Sequence, residues 1–141
     1  MSERHSHMEE IERILDKKSG ILKESIKCYM ILNSIKKIDA QNQTEIKEHF
    51  NFLFQKSKAI QHLDQQFLIK YNETLSKYDA LRLSDLPKNI LQAFRPIQSQ
   101  IQLIQDLESI LKQESIGVST LEQQLKKYEQ FKNASKAYGH K

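Results

Sequence analysis

"QTEIKEHFNFLFQKSKAIQHLDQQFLIKYNETLSKY", residues 43–78, decides the fold. Ile46, Leu53, Ile60 and Phe67 recur at steps of seven, and Phe50, Leu63, Tyr71, Leu75 and Tyr78 widen the stripe. A sustained seven-residue apolar repeat lays one face of a helix along a neighbouring helix in coiled-coil-like geometry. At about 1.5 Å per residue this helix is about 50 Å long, so the protein is elongated. Phe50, Phe52 and Phe54 are two apart, so they cannot all face inward. One or two of the three are exposed and hint at a contact surface.

Working outward, the stretch before it predicts a first helix from about Met8 to Ile38. Ile11, Ile14, Leu15, Ile21, Leu22, Ile26, Tyr29, Leu32, Ile35 and Ile38 recur at three- and four-residue steps. Gly20 lowers local helix preference by about 1 kcal/mol, but the pattern resumes in phase, so the helix continues with a soft spot. "DAQNQTE", residues 39–45, breaks the pattern, and Asn42 with Glu45 resembles a capping box. A short polar link makes the two long helices antiparallel neighbours.

After residue 78, Ser84, Asp85 and Pro87 mark a helix start. The third apolar stripe is Ile90, Leu91, Phe94, Ile97, Ile101, Ile104, Leu107 and Leu111, with Pro96 inside it. Proline removes a backbone donor and disfavours helical geometry at Arg95. Either the helix kinks there or residues 88–94 form a separate short turn; the continued phase favours the kink. "ESIGVS", residues 114–119, reads as a stop at Gly117 followed by a new start, with Ser119 and Glu122 as a capping box. The resulting fourth helix, 119–138, carries Leu121, Leu125, Tyr128, Phe131 and Tyr138. Its narrow stripe is either the last piece of core or a partner-binding face on a detachable helix.

The expected fold is therefore all-α: an elongated antiparallel helical bundle with two long coiled-coil-like helices, a kinked third helix and a C-terminal amphipathic helix. Three glycines and two prolines in 141 residues leave little material for β-turns. The length suits one domain, 9–139, after a disordered polar arm, 1–8. The 22 basic and 18 acidic residues are mostly interleaved, which describes solvated faces better than a nucleic-acid surface. The one local imbalance is at the end, where Lys126, Lys127, Lys132, Lys136 and Lys141 face only Glu129.

Cys28 is alone, so it forms no intramolecular disulfide, and it sits in an apolar helical stretch as a small hydrophobe suited to a reducing cytoplasm. The polar start carries no secretory signal, and the longest apolar run, residues 29–32, is far too short for membrane insertion. His49 and His62 lie about 20 Å apart along one helix and cannot share a metal, and His5 and His7 form at most a loose pair. No phosphate loop, HExxH pair or nucleophile elbow is present, so neither catalytic residues nor a cofactor or metal is expected.

"IKKIDAQNQTEIKEHF" (35–50), "SILKQESIGVSTLEQQLKKYEQF" (109–131) and the terminal "AYG" resemble flagellar export chaperones of the FlgN type, small helical chaperones of type III secretion. The family is richer in Leu, Arg and Glu than this chain, and Pro96 is a departure from its pattern. The resemblance implies a cytosolic protein that is not an enzyme. It would bind unassembled hook-associated proteins, shield their aggregation-prone C-terminal helices and deliver them to the export apparatus. It also implies that the C-terminal helix carries much of the client contact and that a tyrosine there, Tyr128 or Tyr138, meets the export gate. A helical-bundle adaptor or coiled-coil subunit of a permanent complex, or a homodimer, is the competing expectation.

Overall fold

A computed structural model describes the backbone of residues 3–139 and the side chains of 8–134. Four α-helices follow one another: α1 (Glu3–Asn33), α2 (Gln43–Lys77), the short α3 (Lys88–Ala93) and α4 (Arg95–Gly139). No strand occurs among the described residues. α1 packs closely against both α2 and α4, whereas α2 and α4 do not pack closely on one another. Cross-links give the directions. Cys28, Lys18 and Glu10 of α1 meet His49, Asp64 and Lys70 of α2, the one series falling as the other rises. Asp16 and Asn33 meet Gln100 and Glu114 of α4 in ascending order. The chain therefore runs up, down and up, with α2 antiparallel to both α1 and α4.

α1 stays unbroken through Gly20, where a side-chain Cβ would meet no neighbouring atom within 4 Å. It starts at Glu3, inside the stretch expected to be a disordered arm, and Met8 is buried. It ends at Asn33 instead of Ile38, and residues 35–39 run as irregular chain whose Ile35 and Ile38 still pack on the core. The capping box at Asn42 does not form. Asn42 Oδ1 accepts the Asp39 N–H at 2.9 Å, and Asp39 Oδ1 accepts the Gln41 and Asn42 N–H groups at 2.8 and 2.9 Å. The polar link thus spends its side chains on its own turn. α2 ends in a Schellman motif: Ala80 N–H donates to Leu75 O at 2.9 Å, and Asp79 adopts a left-handed φ of 51°.

The second half corrects two expectations. At Pro96 there is no kinked helix but two helices, α3 and α4, separated only by Phe94, which keeps right-handed dihedrals (φ −81°, ψ −8°). Pro96 falls in the first turn of α4, where its missing N–H costs no helical bond. At Gly117 there is no stop. α4 runs 45 residues without a break, Gly117 has ordinary negative φ, and the Ser119 hydroxyl donates back to Ile116 O at 2.9 Å and caps nothing. The glycine instead permits close packing: an added Cβ would lie 2.5 Å from Asn33 Oδ1. Asn33 Nδ2 donates to Glu114 O at 3.0 Å and Glu114 Oε2 at 2.6 Å, tying the end of α1 to α4 there.

Two buried clusters fill the bundle. The first gathers Met8, Ile11, Leu15 and Leu22 of α1, Leu75 and Ala80 at the end of α2, Leu86 and Ile90, and Phe94, Ile97 and Ile104. The second gathers Cys28 and Leu32, Ile46 and Leu53, and Val118, Leu121 and Leu125. The seven-step stripe of α2 serves both, with Ile46 and Leu53 buried and Ile60 and Phe67 partly covered. Phe67 stacks on Tyr71 with ring centroids 5.8 Å apart.

Candidate functional site

The five residues expected to contact a partner separate into three groups. Leu121 and Leu125 are core, 6% and 7% exposed, packed with Cys28, Leu32, Ile46 and Leu53. Tyr128 is half-buried and Phe131 is 71% exposed. The side chain of Tyr138 lies outside the described residues. The face is therefore continuous with the bundle at its start and open to solvent at its end. Because α1 stops at Asn33, level with Glu114 and Gly117, α4 continues past it alongside the start of α2 and the α1–α2 link. Polar links hold it there: Lys47 pairs with Glu129 at 2.9 Å, and Lys132 Nζ donates to Gln43 Oε1 at 3.0 Å. The Lys47 ammonium draws the Glu129 carboxyl below its usual range. Lys126 and Lys127 are exposed on the same stretch of α4.

The aromatic trio on α2 divides as its spacing requires. Phe50 is half-buried, while Phe52 and Phe54 are 37% and 57% exposed. A lysine lies over each exposed ring, Lys56 at 5.1 Å from the Phe52 centroid and Lys58 at 4.5 Å from that of Phe54. Phe54 borders an open groove between α2 and α4, lined by Tyr29 of α1, by Phe50, Leu53 and Ser57 of α2 and by Ser115, Val118, Ser119 and Glu122 of α4.

One pairing was invisible in the sequence because it crosses two helices. Cys28 Sγ lies 3.5 Å from His49 Nδ1, and His49 Nε2 lies 3.5 Å from Glu45 Oε1. Glu24, Lys27, Ile31, Glu48 and Phe52 complete an open groove around them. Burial pushes the Cys28 thiol above its ordinary value, whereas a nucleophilic cysteine needs a depressed one and access. The trio is best described as a small hydrophobe seated against a half-buried imidazole. No group of three or more His, Cys, Asp or Glu among the described residues could hold a metal ion. Among those residues no helix is long and apolar enough to cross a membrane. No protein-family model, curated protein or solved structure matches the chain.

Proposed function

We propose that the chain is a helical protein-binding module that works as a cytosolic export chaperone of the FlgN type, holding helical segments of unassembled hook-associated proteins for the export apparatus. The observation that carries this reading is the end of α4. An exposed Phe131, a half-buried Tyr128 and two exposed lysines lie on a helix that has outrun α1 and is held to α2 by polar links. An amphipathic helix presented in this way suits a helical client. Leu121 and Leu125 seat the helix, and Tyr128, Phe131 and Tyr138 meet the client.

The test is affinity capture with the tagged full-length protein from its own cells, beside a Tyr128→Ala/Phe131→Ala variant of matched helicity and thermal midpoint. Hook-associated proteins are expected with the parent and absent with the variant. Stoichiometric recovery of non-flagellar proteins by both would replace the chaperone with a structural adaptor in a permanent complex.

A further inference from the structure

The apolar stripes that hold the bundle repeat every seven residues on all of its long helices. On α4 the stripe is Ile97, Ile104, Leu111, Val118 and Leu125. On α1 it is Met8, Leu15, Leu22 and Tyr29, packed in the same two clusters as the Ile46–Phe67 stripe of α2. Such stripes match almost as well after a slide of one heptad, about 10 Å along the axis at about 1.5 Å per residue. Apolar packing alone therefore leaves the register of α1 open, and one residue breaks the degeneracy. Lys18 is 9% exposed and is the only buried charged side chain among the described residues. Its Nζ lies 2.6 Å from Asp64 Oδ1 of α2 and 3.7 Å from Glu108 Oε1 of α4. Both carboxylate side chains are half exposed, so the buried member of this triad is the ammonium.

Counting by sevens from that contact sets the levels of the bundle. Ile11 stands level with Tyr71 and Ile101, Lys18 with Asp64 and Glu108, Ser25 with Ser57 and Ser115, and Leu32 with Phe50 and Glu122. The packing agrees. Ile11, Tyr71 and Ile101 share the first cluster, Leu32 and Phe50 share the second, and Ser57 and Ser115 line one groove. Only the level of Lys18 offers a carboxylate on both neighbours. A slide of α1 by one heptad takes Lys18 either to Ser57 and Ser115 or to Tyr71 and Ile101. An ammonium buried without a counter-charge costs far more than a mismatched apolar contact. We infer that Lys18, with Asp64 and Glu108, is a register lock. It selects one of several heptad-related positions of α1, and apolar residues in its place would hold the helices together at least as firmly. The register decides how much of α4 stands clear of α1. A slide toward the C-terminus of α1 would carry Asn33 from Gly117 to Gln124 and cover part of the end that bears Tyr128. The opposite slide would strip α1 from Val118 and Leu121. The irregular chain at 35–39 can follow either movement.

The experiment reads the axial offset of α1 and α4 in the full-length protein as the distance between two spin labels. The labels sit at the exposed positions Lys17→Cys and Lys127→Cys in a Cys28→Ala background. With Lys18 in place a single distance is expected. Lys18→Met/Asp64→Leu/Glu108→Leu is expected to add distances displaced by about 10 Å, one heptad, while its urea midpoint equals or exceeds that of the locked protein. If the triple variant does not fold, Lys18→Met alone, which leaves both carboxylates hydrated, should add the same displaced distances. Lys18→Ser/Ser25→Lys moves the ammonium one heptad along α1. It should lengthen the main distance by about 10 Å, because a slide toward the N-terminus of α1 is what returns the ammonium to Asp64 and Glu108. A single, undisplaced distance in a folded lock variant overturns the proposal, and a lower urea midpoint beside it makes Lys18 an ordinary stabilising ion pair. An unmoved distance in Lys18→Ser/Ser25→Lys overturns it as well. None of these distances involves a client, so failure of the lock leaves the chaperone reading standing, and failure of client capture leaves the lock.

Discussion

The two ends of the bundle are built differently. At the end that holds the first cluster, the connection between α2 and α4 folds over the helices and contributes Leu86, Ile90 and Phe94, the last only 1% exposed. At the other end no such cover exists. Three helices meet there, with Ile35 and Ile38 of the α1–α2 link packed against them, and Gly117 makes room for Asn33 where α4 passes the end of α1. A three-helix bundle needs a cover for its third side. The first end finds it in its own chain, and at the second α2 and α4 are joined by the polar links Lys47–Glu129 and Lys132–Gln43.

The largest effect should follow from removing that cover. Phe94→Ala is expected to cost about 3–5 kcal/mol, because a large, fully buried side chain in the first cluster leaves a cavity. Leu121→Ala in the second cluster should cost nearer the lower end of about 2–5 kcal/mol, since no covering segment like residues 86–94 holds that end rigid and the site can relax. Urea midpoints at constant slope measure both. Equal losses would mean that the two ends are equally closed.

Alkaline titration sharpens the same comparison. Burial raises the Cys28 thiol and the Tyr29 and Tyr71 phenols, and the first two belong to the second end. A group whose proton is held more tightly in the folded state contributes stability that is complete below its unfolded pKa. That contribution is lost as pH rises through the raised folded value. Stability should therefore fall from about pH 8.5 upward, where an unperturbed thiol begins to ionise. Amide exchange at about pH 9 should increase around Cys28 and Leu121 before it increases around Ile11 and Phe94. A uniform increase would contradict the assignment of the weaker end.

These differences mark what the sequence could and could not show. The long helices were legible, because a stripe such as Ile46–Leu53–Ile60–Phe67 has a period that only a packed helix explains. That one or two of Phe50, Phe52 and Phe54 are exposed was legible from spacing alone, but not that Phe52 and Phe54 are the ones. Pro96 was ambiguous because a proline inside a stripe and one in a first turn look alike until the turn before it is seen to end. Gly117 was misread for a similar reason. Glycine ends helices and also admits close neighbours, and Asn33, which decides between the two, lies 84 positions upstream. The same distance hid the burial of Leu121 and Leu125, whose narrow stripe suited either a core or a partner.

The smallest predicted effect is the most discriminating, and it compares two glycines within helices. Gly20→Ala meets nothing within 4 Å, so it should raise stability by about 1 kcal/mol, the difference in helix preference. Gly117→Ala carries the same preference, but its methyl would displace Asn33 Oδ1. Asn33 would have to swing away and give up its bonds to the Glu114 carbonyl and carboxylate, each worth about 0.5–1.5 kcal/mol and less when exposed. Gain and loss then nearly cancel. In an Asn33→Ala background the obstacle is gone, and Gly117→Ala should recover about 1 kcal/mol. A thermal-melt double-mutant cycle reads the coupling directly. If Gly117→Ala alone stabilises as much as Gly20→Ala, Asn33 yields without cost and the glycine is not there for packing. If it destabilises by several kcal/mol even without Asn33, the helix backbones themselves meet at this point and α4 lies closer to α1 than the side chains require.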